Sequence, residues 1–274
     1  MAQYYTDFSE YAVDVQPSDW TQLWALFGSE MFVLSSSILG PDFEALAGAQ
    51  YLRYRDVGSF TRSIAKYDLP PASIASEIRG LARAANPTNT DSIPLLVLCG
   101  SGVTEAQRVG YSLWVRPGSG NYTIRRTNAG TDTAVASGTL PSDYYEALAS
   151  AANTFYVRFE VVESGASVIV RSKVWSTADT EPGTWDLSHE DTTPLAAGWQ
   201  GVGSLGRNAT FYGAGWVGIG TDGDPAPTGP VDVSAEPFLL RHNPRTNKVI
   251  PVLSSPTVTD IGANCVRPRV TKGY

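Results

Sequence analysis

Residues 155–175 read FYVRFEVVESGASVIVRSKVW. Phe155, Val157, Phe159 and Val161 alternate with Tyr156, Arg158 and Glu160, a period of two that gives a strand one dry and one wet face. Glu163-Ser164-Gly165-Ala166 supplies turn residues, after which Val168, Val170 and Val174 resume the alternation against Ile169, Arg171 and Lys173. Two such runs joined by a short polar break predict a β-hairpin, with Phe155, Val157, Phe159, Val161, Val168 and Val170 facing a core.

The same signature spreads outward along the chain. Gln50–Asp56, Phe60–Asp68, Ser92–Gly100, Val109–Val115 and Tyr122–Asn128 are further strand candidates, separated by Gly, Pro, Asn and Asp clusters. The 274 residues include 26 Gly, 18 Pro, 7 Trp, 13 Tyr and 9 Phe against 2 Met, a composition of short strands and tight turns. Ile74–Ala85 carries apolar residues that also recur at helical spacing, so period alone leaves strand and helix open, although Gly80 sits poorly in a helix interior. Tyr144–Ala152 predicts a short helix capped by Ser142 or Asp143.

The hairpin is followed by Glu181-Pro-Gly-Thr-Trp185, Gly198-Trp-Gln-Gly-Val-Gly203 and Trp216-Val-Gly-Ile-Gly-Thr-Asp-Gly-Asp-Pro-Ala-Pro227. With Pro17-Ser-Asp-Trp20 near the start, this arrangement resembles the laminin-G-like, concanavalin A-like jelly-roll domains of tailed-bacteriophage virion proteins. The resemblance covers about residues 4–227 and implies an all-β, two-sheet antiparallel sandwich. It implies structural tryptophans at Trp175, Trp185, Trp199 and Trp216. It also implies a strand at residues 74–85.

The composition changes after Pro227. Residues 1–227 carry a net charge of −10 and residues 228–274 a net charge of +3, and eight prolines punctuate the chain from Pro225 onward. Each proline removes a ladder donor, so residues 228–274 read as an extended C-terminal arm attached to a 1–227 jelly-roll domain. The apolar positions Val249, Ile250, Val252, Val258, Val266 and Val270 are expected to serve assembly, either by wrapping the arm's own domain or by adding edge strands to a neighbour.

Several chemistries find no support in the sequence. An acidic body of this kind argues against nucleic acid, which calls for clustered Lys and Arg. No run of 18 apolar residues and no basic, apolar leader is present, giving the expectation of synthesis in a host cytoplasm without membrane insertion. Cys99 lies in the apolar run Pro94–Cys99 and is expected to be a buried free thiol, unpaired with Cys265. Gly215–Gly220 lacks the helix and Lys-Ser or Lys-Thr of a phosphate loop and reads as a strand with close packing. Glycoside hydrolysis needs two carboxyls on one face. Along β-period spacing Glu160 is followed on its face by Val162, and Glu190-Asp191 reads as a solvated loop beside a surface His189.

Two binding candidates remain. Trp114 falls on the strand face opposite Tyr111, Leu113 and Val115, with Arg108, Ser112 and Arg116. Exposed, it forms a sugar-stacking platform; covered, it is packing. Asp222 and Asp224 around Gly223 place hard oxygens on one side of a turn, which gives a Ca2+ hypothesis against the plainer reading of a strand-ending turn. No other cofactor is expected. The resemblance implies a non-enzymatic virion component, first a tail fibre, minor tail or spike protein with host-glycan binding, second a head decoration protein. A carbohydrate-active enzyme on the same sandwich comes third. The implied partners are other virion proteins and further copies of the chain, with a trimer among the expected forms.

Overall fold

A computed structural model describes residues 2–23, 30–36, 47–55, 61–84, 93–116, 119–140, 154–206, 211–229, 239–243 and 248–252. Strands are numbered in chain order. One sheet runs β13 (Leu187–Asp191), β12 (Ser167–Ser176), β11 (Thr154–Ser164), β6 (Ser76–Ala84), β15 (Phe211–Thr221), β1 (Ala2–Thr6), β16 (Leu239–Asn243) and β17 (Lys248–Val252). At one end of β15 this sheet branches to β4 (Gln50–Arg55), which pairs with β3 (Glu30–Ser35). The other sheet runs β10 (Thr131–Thr139), β9 (Asn121–Asn128), β8 (Val109–Arg116), β7 (Ile93–Ser101), β14 (Trp199–Gly206), β5 (Thr61–Tyr67) and β2 (Trp20–Leu23). The described pairings are antiparallel except for the β1–β16 contact, and the fold is a two-sheet jelly-roll sandwich.

The alternating residues of the β11–β12 hairpin fill the space between the sheets as their spacing predicts. Phe155, Val157, Phe159, Val161, Val168 and Val170 are all buried in one core with Ile78, Val217 and Ile219 from the first sheet and Leu98, Tyr111, Leu113 and Ile124 from the second. Residues 76–84 are a strand, whose Gly80 faces the core opposite Val157 and Val217; its open question is settled by the neighbours it pairs with on both sides. Trp20 stacks on Tyr67 at 4.5 Å and seals the end of the core near Phe8. The proposed helix at residues 144–152 lies outside the described residues.

One expectation changes. Glu190 and Asp191 belong to strand β13 and not to a solvated loop: Asp191 is buried, accepting hydrogen bonds from the Tyr111 hydroxyl at 2.6 Å and Arg126 Nε at 2.8 Å. Those two donors, from strands β8 and β9 of the opposite sheet, offset the cost of burying the charge and tie the sheets together at this edge. Part of the C-terminal arm runs along its own domain. Strands β16 and β17 form a hairpin that continues the first sheet past β1, with Leu240 the parallel partner of Tyr4 in the same chain. Of the eight prolines only Pro251 falls within these strands, on β17, whose one partner is β16.

Candidate functional site

The sheet that carries the hairpin turns its second face outward, and its register assembles that face in rows. Trp216 of β15, Leu81 of β6, Tyr156 of β11 and Trp175 of β12 are successive cross-strand partners, as are Gly218, Arg79, Arg158 and Lys173, and then Gly220, Glu77, Glu160 and Arg171. An aromatic row, a cationic row and a mixed acidic row therefore lie side by side. The Tyr156 ring centroid is 5.5 Å from that of Trp175 and 6.1 Å from that of Trp216.

Charge on this face is paired almost completely. Glu77 is buried and accepts Arg79 Nε at 2.5 Å and Arg158 Nη2 at 2.9 Å. Glu181 reaches in from the β12–β13 connection and accepts Arg158 Nη1 at 2.8 Å, Lys173 Nζ at 3.1 Å and Arg79 Nη1 at 3.2 Å. Arg171 pairs with Glu160 at 2.6 Å. Burial pushes the Glu181 carboxyl up, but Arg158, Arg79 and Lys173 together hold it below the usual carboxylate range. Trp185 from the same connection lies against Arg171, Arg158 and Lys173, each 4.4 to 4.8 Å from its ring centroid. The Val174 amide donates to Asp186 at 2.9 Å and anchors the connection's far end. Burial raises the Asp186 carboxyl against the opposing pull of that amide and Lys173.

The opposite wall comes from the chain just after β15. Gly218 and Gly220 point outward, and a Cβ on either would collide with backbone, that of Pro227 and that of Asp224 respectively. Residues 222–229 accordingly lie back over their own strand, a close approach that only glycine permits. The segment ends at Gly229, φ +89°, where a Cβ would stand 3.2 Å from Trp216 Cζ2.

Between these two walls lies a pocket of about 270 Å³. Tyr156, Trp175 and Trp216 supply its aromatic surface, Arg79, Asp179 and Glu181 its charged side, and Thr228 and Gly229 its remaining wall. Asp179 is exposed and, among the described residues, its carboxylate makes no hydrogen bond or ion pair. Aromatic rings beside convergent polar groups are the chemistry of a small polyol or sugar site.

The sequence candidates fall elsewhere. Trp114 is on the predicted face but is buried, packed with Ile64 and Val97, its Nε1 donating to Ser112 Oγ at 2.9 Å. The cation over its ring is Arg125, from neighbouring β9, at 4.0 Å, while Arg116 stands at 5.9 Å. Arg108 is also buried and is engaged with Asp132 at 2.9 Å and Glu105 at 3.0 Å. The exposed Trp114 platform is therefore corrected to packing: the neighbouring strand brings the stacking arginine that removes the ring from solvent. Trp175 and Trp216 are buried structural residues as the resemblance implied, and both also reach the pocket. Asp222 accepts from Ser73 Oγ at 3.2 Å while its own amide donates back to Ser73 Oγ at 3.1 Å, which tethers the turn closed by the Asp224 amide and the Thr221 carbonyl to the segment before β6. Among the described residues, no third His, Cys, Asp or Glu groups with Asp222 and Asp224. Val249, Ile250 and Val252 lie on β17, and Val258, Val266 and Val270 lie outside the described residues.

No family model and no curated protein matches this chain. Solved structures do. A protein of unknown function from Shewanella oneidensis MR-1 aligns at a TM-score of 0.50 and 12% identity over 82% of this chain and 89% of that one. The carbohydrate-binding module CBM66 from Bacillus subtilis aligns at 0.45 and 11% identity, over 71% and 91% of the two chains. The VIP36 exoplasmic/lumenal domain in its Ca2+/Man-bound form aligns at 0.47 and 9%, over 86% and 89%. At these identities the likeness concerns the fold alone, a jelly-roll sandwich.

Proposed function

We propose that this chain is a non-catalytic, glycan-recognising structural component of a bacteriophage virion, of the tail-fibre, minor tail or spike type. The observation that carries the glycan reading is the pocket on the outer sheet face, where Tyr156, Trp175 and Trp216 meet Arg79, Asp179 and Glu181. Pyranose rings present an apolar face to aromatic side chains and hydroxyls to charged groups at the edge, which this pocket provides together. The virion reading rests on the sequence resemblance and on the change from an acidic body to a basic C-terminal segment, which favours docking to an acidic protein surface.

The same geometry favours binding over turnover. Glycoside hydrolysis needs one carboxyl kept protonated and a second free to attack or to activate water. Glu77, Glu160 and Glu181 are all engaged by guanidinium or ammonium groups, and those around Glu181 hold its carboxyl below the usual range. Asp186, whose carboxyl is raised, is spent on the Val174 amide and does not line the pocket.

The test is binding of the purified chain to host-surface polysaccharide, with Tyr156→Ala alongside. Tyr156 is only partly buried, so its truncation should abolish binding while the fold persists. Binding that survives Tyr156→Ala would move the contact elsewhere. Sustained release of reducing ends would overturn the non-catalytic reading, and particle density showing this chain absent from the virion would overturn the structural one.

A further inference from the structure

Resting on the glycan reading, the charge pattern around the pocket also restricts which sugars fit. A seat for a carboxylate or phosphate is best made by a cation that no carboxylate already engages. Arg79 is shared between Glu77 and Glu181, Arg158 likewise, Lys173 donates to Glu181 and to the Pro182 carbonyl, and Arg171 is committed to Glu160. Arg83, the next outward cation along β6, is at the other side of the aromatic row near Tyr51 and does not line the pocket. The one lining charge with no partner among the described residues is negative, that of Asp179.

We infer that the pocket takes neutral or amine-bearing pyranoses and rejects acidic ones, with Asp179 as the residue that sets this preference. A uronate would place its carboxylate in a site whose cations each already face a carboxylate and beside a free group, Asp179, that repels it. A neutral hexose can donate two hydroxyls to Asp179 while a ring face lies on the aromatic surface. An ammonium at the same position gains charge attraction as well as the contact with the rings.

The experiment compares three matched series at pH 7 and low salt: glucose, galactose and mannose as methyl glycosides; the corresponding 2-amino sugars; and the corresponding uronates. Binding is read by ligand-observed NMR and calorimetry on the full chain. For whichever ring configuration binds, the uronate should bind about fivefold or more weakly than the hexose, and the amino sugar at least as tightly as the hexose. Asp179→Asn should narrow the gap to about twofold, and Asp179→Lys should reverse it. Added salt should shrink it too. Both substitutions fall on an exposed position, and unchanged unfolding midpoints would confirm that the variants are folded.

A uronate that matches or beats its hexose, or a preference that Asp179→Asn leaves intact, overturns this inference and leaves glycan binding standing. Failure of every sugar in all three series, and of host polysaccharide, overturns both.

Discussion

Glu77 of β6 stands directly opposite Glu160 of β11, two carboxylates on one face of adjacent strands. Like charges at such positions repel, and here the repulsion is relieved from different sides. Arg79 and Arg158 take Glu77, while Arg171 takes Glu160. The pair has the placement of a hydrolytic dyad but the electrostatics of a structural brace.

The two carboxylates should therefore respond very differently to removal. The Glu77 side chain is only 2% exposed, and Glu77→Gln leaves Arg79 and Arg158 with half their compensation in a buried setting. The expected loss is about 3–5 kcal/mol in urea unfolding. Glu160→Gln breaks a pair whose members are 16% and 31% exposed and should cost at most about 1 kcal/mol. Equal, small losses for both would show that Glu77 is not the anchor of the network.

Acid should weaken the fold through Glu181 and Asp191. Burial raises each carboxyl, and the surrounding donors more than reverse it: Arg158, Arg79 and Lys173 for Glu181; Tyr111, Thr193 and Arg126 for Asp191. Both titrate lower in the folded than in the unfolded chain. Their stabilisation is thus complete above the ordinary carboxylate values of 4.5 and 3.8 and is lost as pH falls through and below them. Asp186, with its carboxyl raised, acts in the opposite sense and partly offsets the loss. The urea midpoint measured from pH 7 to pH 3 should fall below about pH 4.5, and Asp191→Asn should start lower and fall less steeply. A midpoint independent of pH across that range would refute the assignment.

Cys99 should be chemically silent in the folded chain. It is buried, with Sγ 3.5 Å from the Ile74 carbonyl oxygen, and burial pushes its thiol up to about 12. Since only the thiolate reacts, labelling by a disulfide reagent at pH 8 should be slowed at least about a thousandfold relative to the chain in urea. Cys265→Ser makes Cys99 the sole thiol for the measurement. Rapid labelling under native conditions would place Cys99 at the surface.

How far the sequence foretold this molecule depended on whether a feature was local. The alternation from Phe155 to Val174 declares its own buried face, and each of the six core residues it nominates is buried. Thr131–Thr139 gave no such signal because, as an edge strand, most of its side chains are exposed and its composition is small and polar. Glu190-Asp191 looked like a loop because Asp191 finds its partners on another sheet. The pocket was illegible for the same reason. Leu81, Tyr156, Trp175 and Trp216 become neighbours only once β6 is known to lie between β11 and β15, and scanning for carboxylates along single strands could not reveal Glu77 opposite Glu160. Gly218 and Gly220 were read correctly as close packing, though what approaches them is the chain's own continuation.

That continuation can be tested by filling the space it occupies. A Cβ at Gly220 would overlap the Asp224 carbonyl oxygen and crowd Pro225, and these backbone atoms can yield only if residues 222–229 lift away from β15. The segment carries Thr228 and Gly229, which line the pocket and pack near Trp216. Gly220→Ala should therefore cost about 1–3 kcal/mol, speed amide exchange in residues 224–229, and weaken glycan binding with no change to any pocket side chain. Gly183→Ala is the matched control, because a Cβ there meets nothing within 4 Å, and it should leave stability and binding unchanged. If Gly220→Ala were as stable as the parent and exchanged no faster, residues 222–229 would not be seated on β15, and the pocket would lose one of its walls.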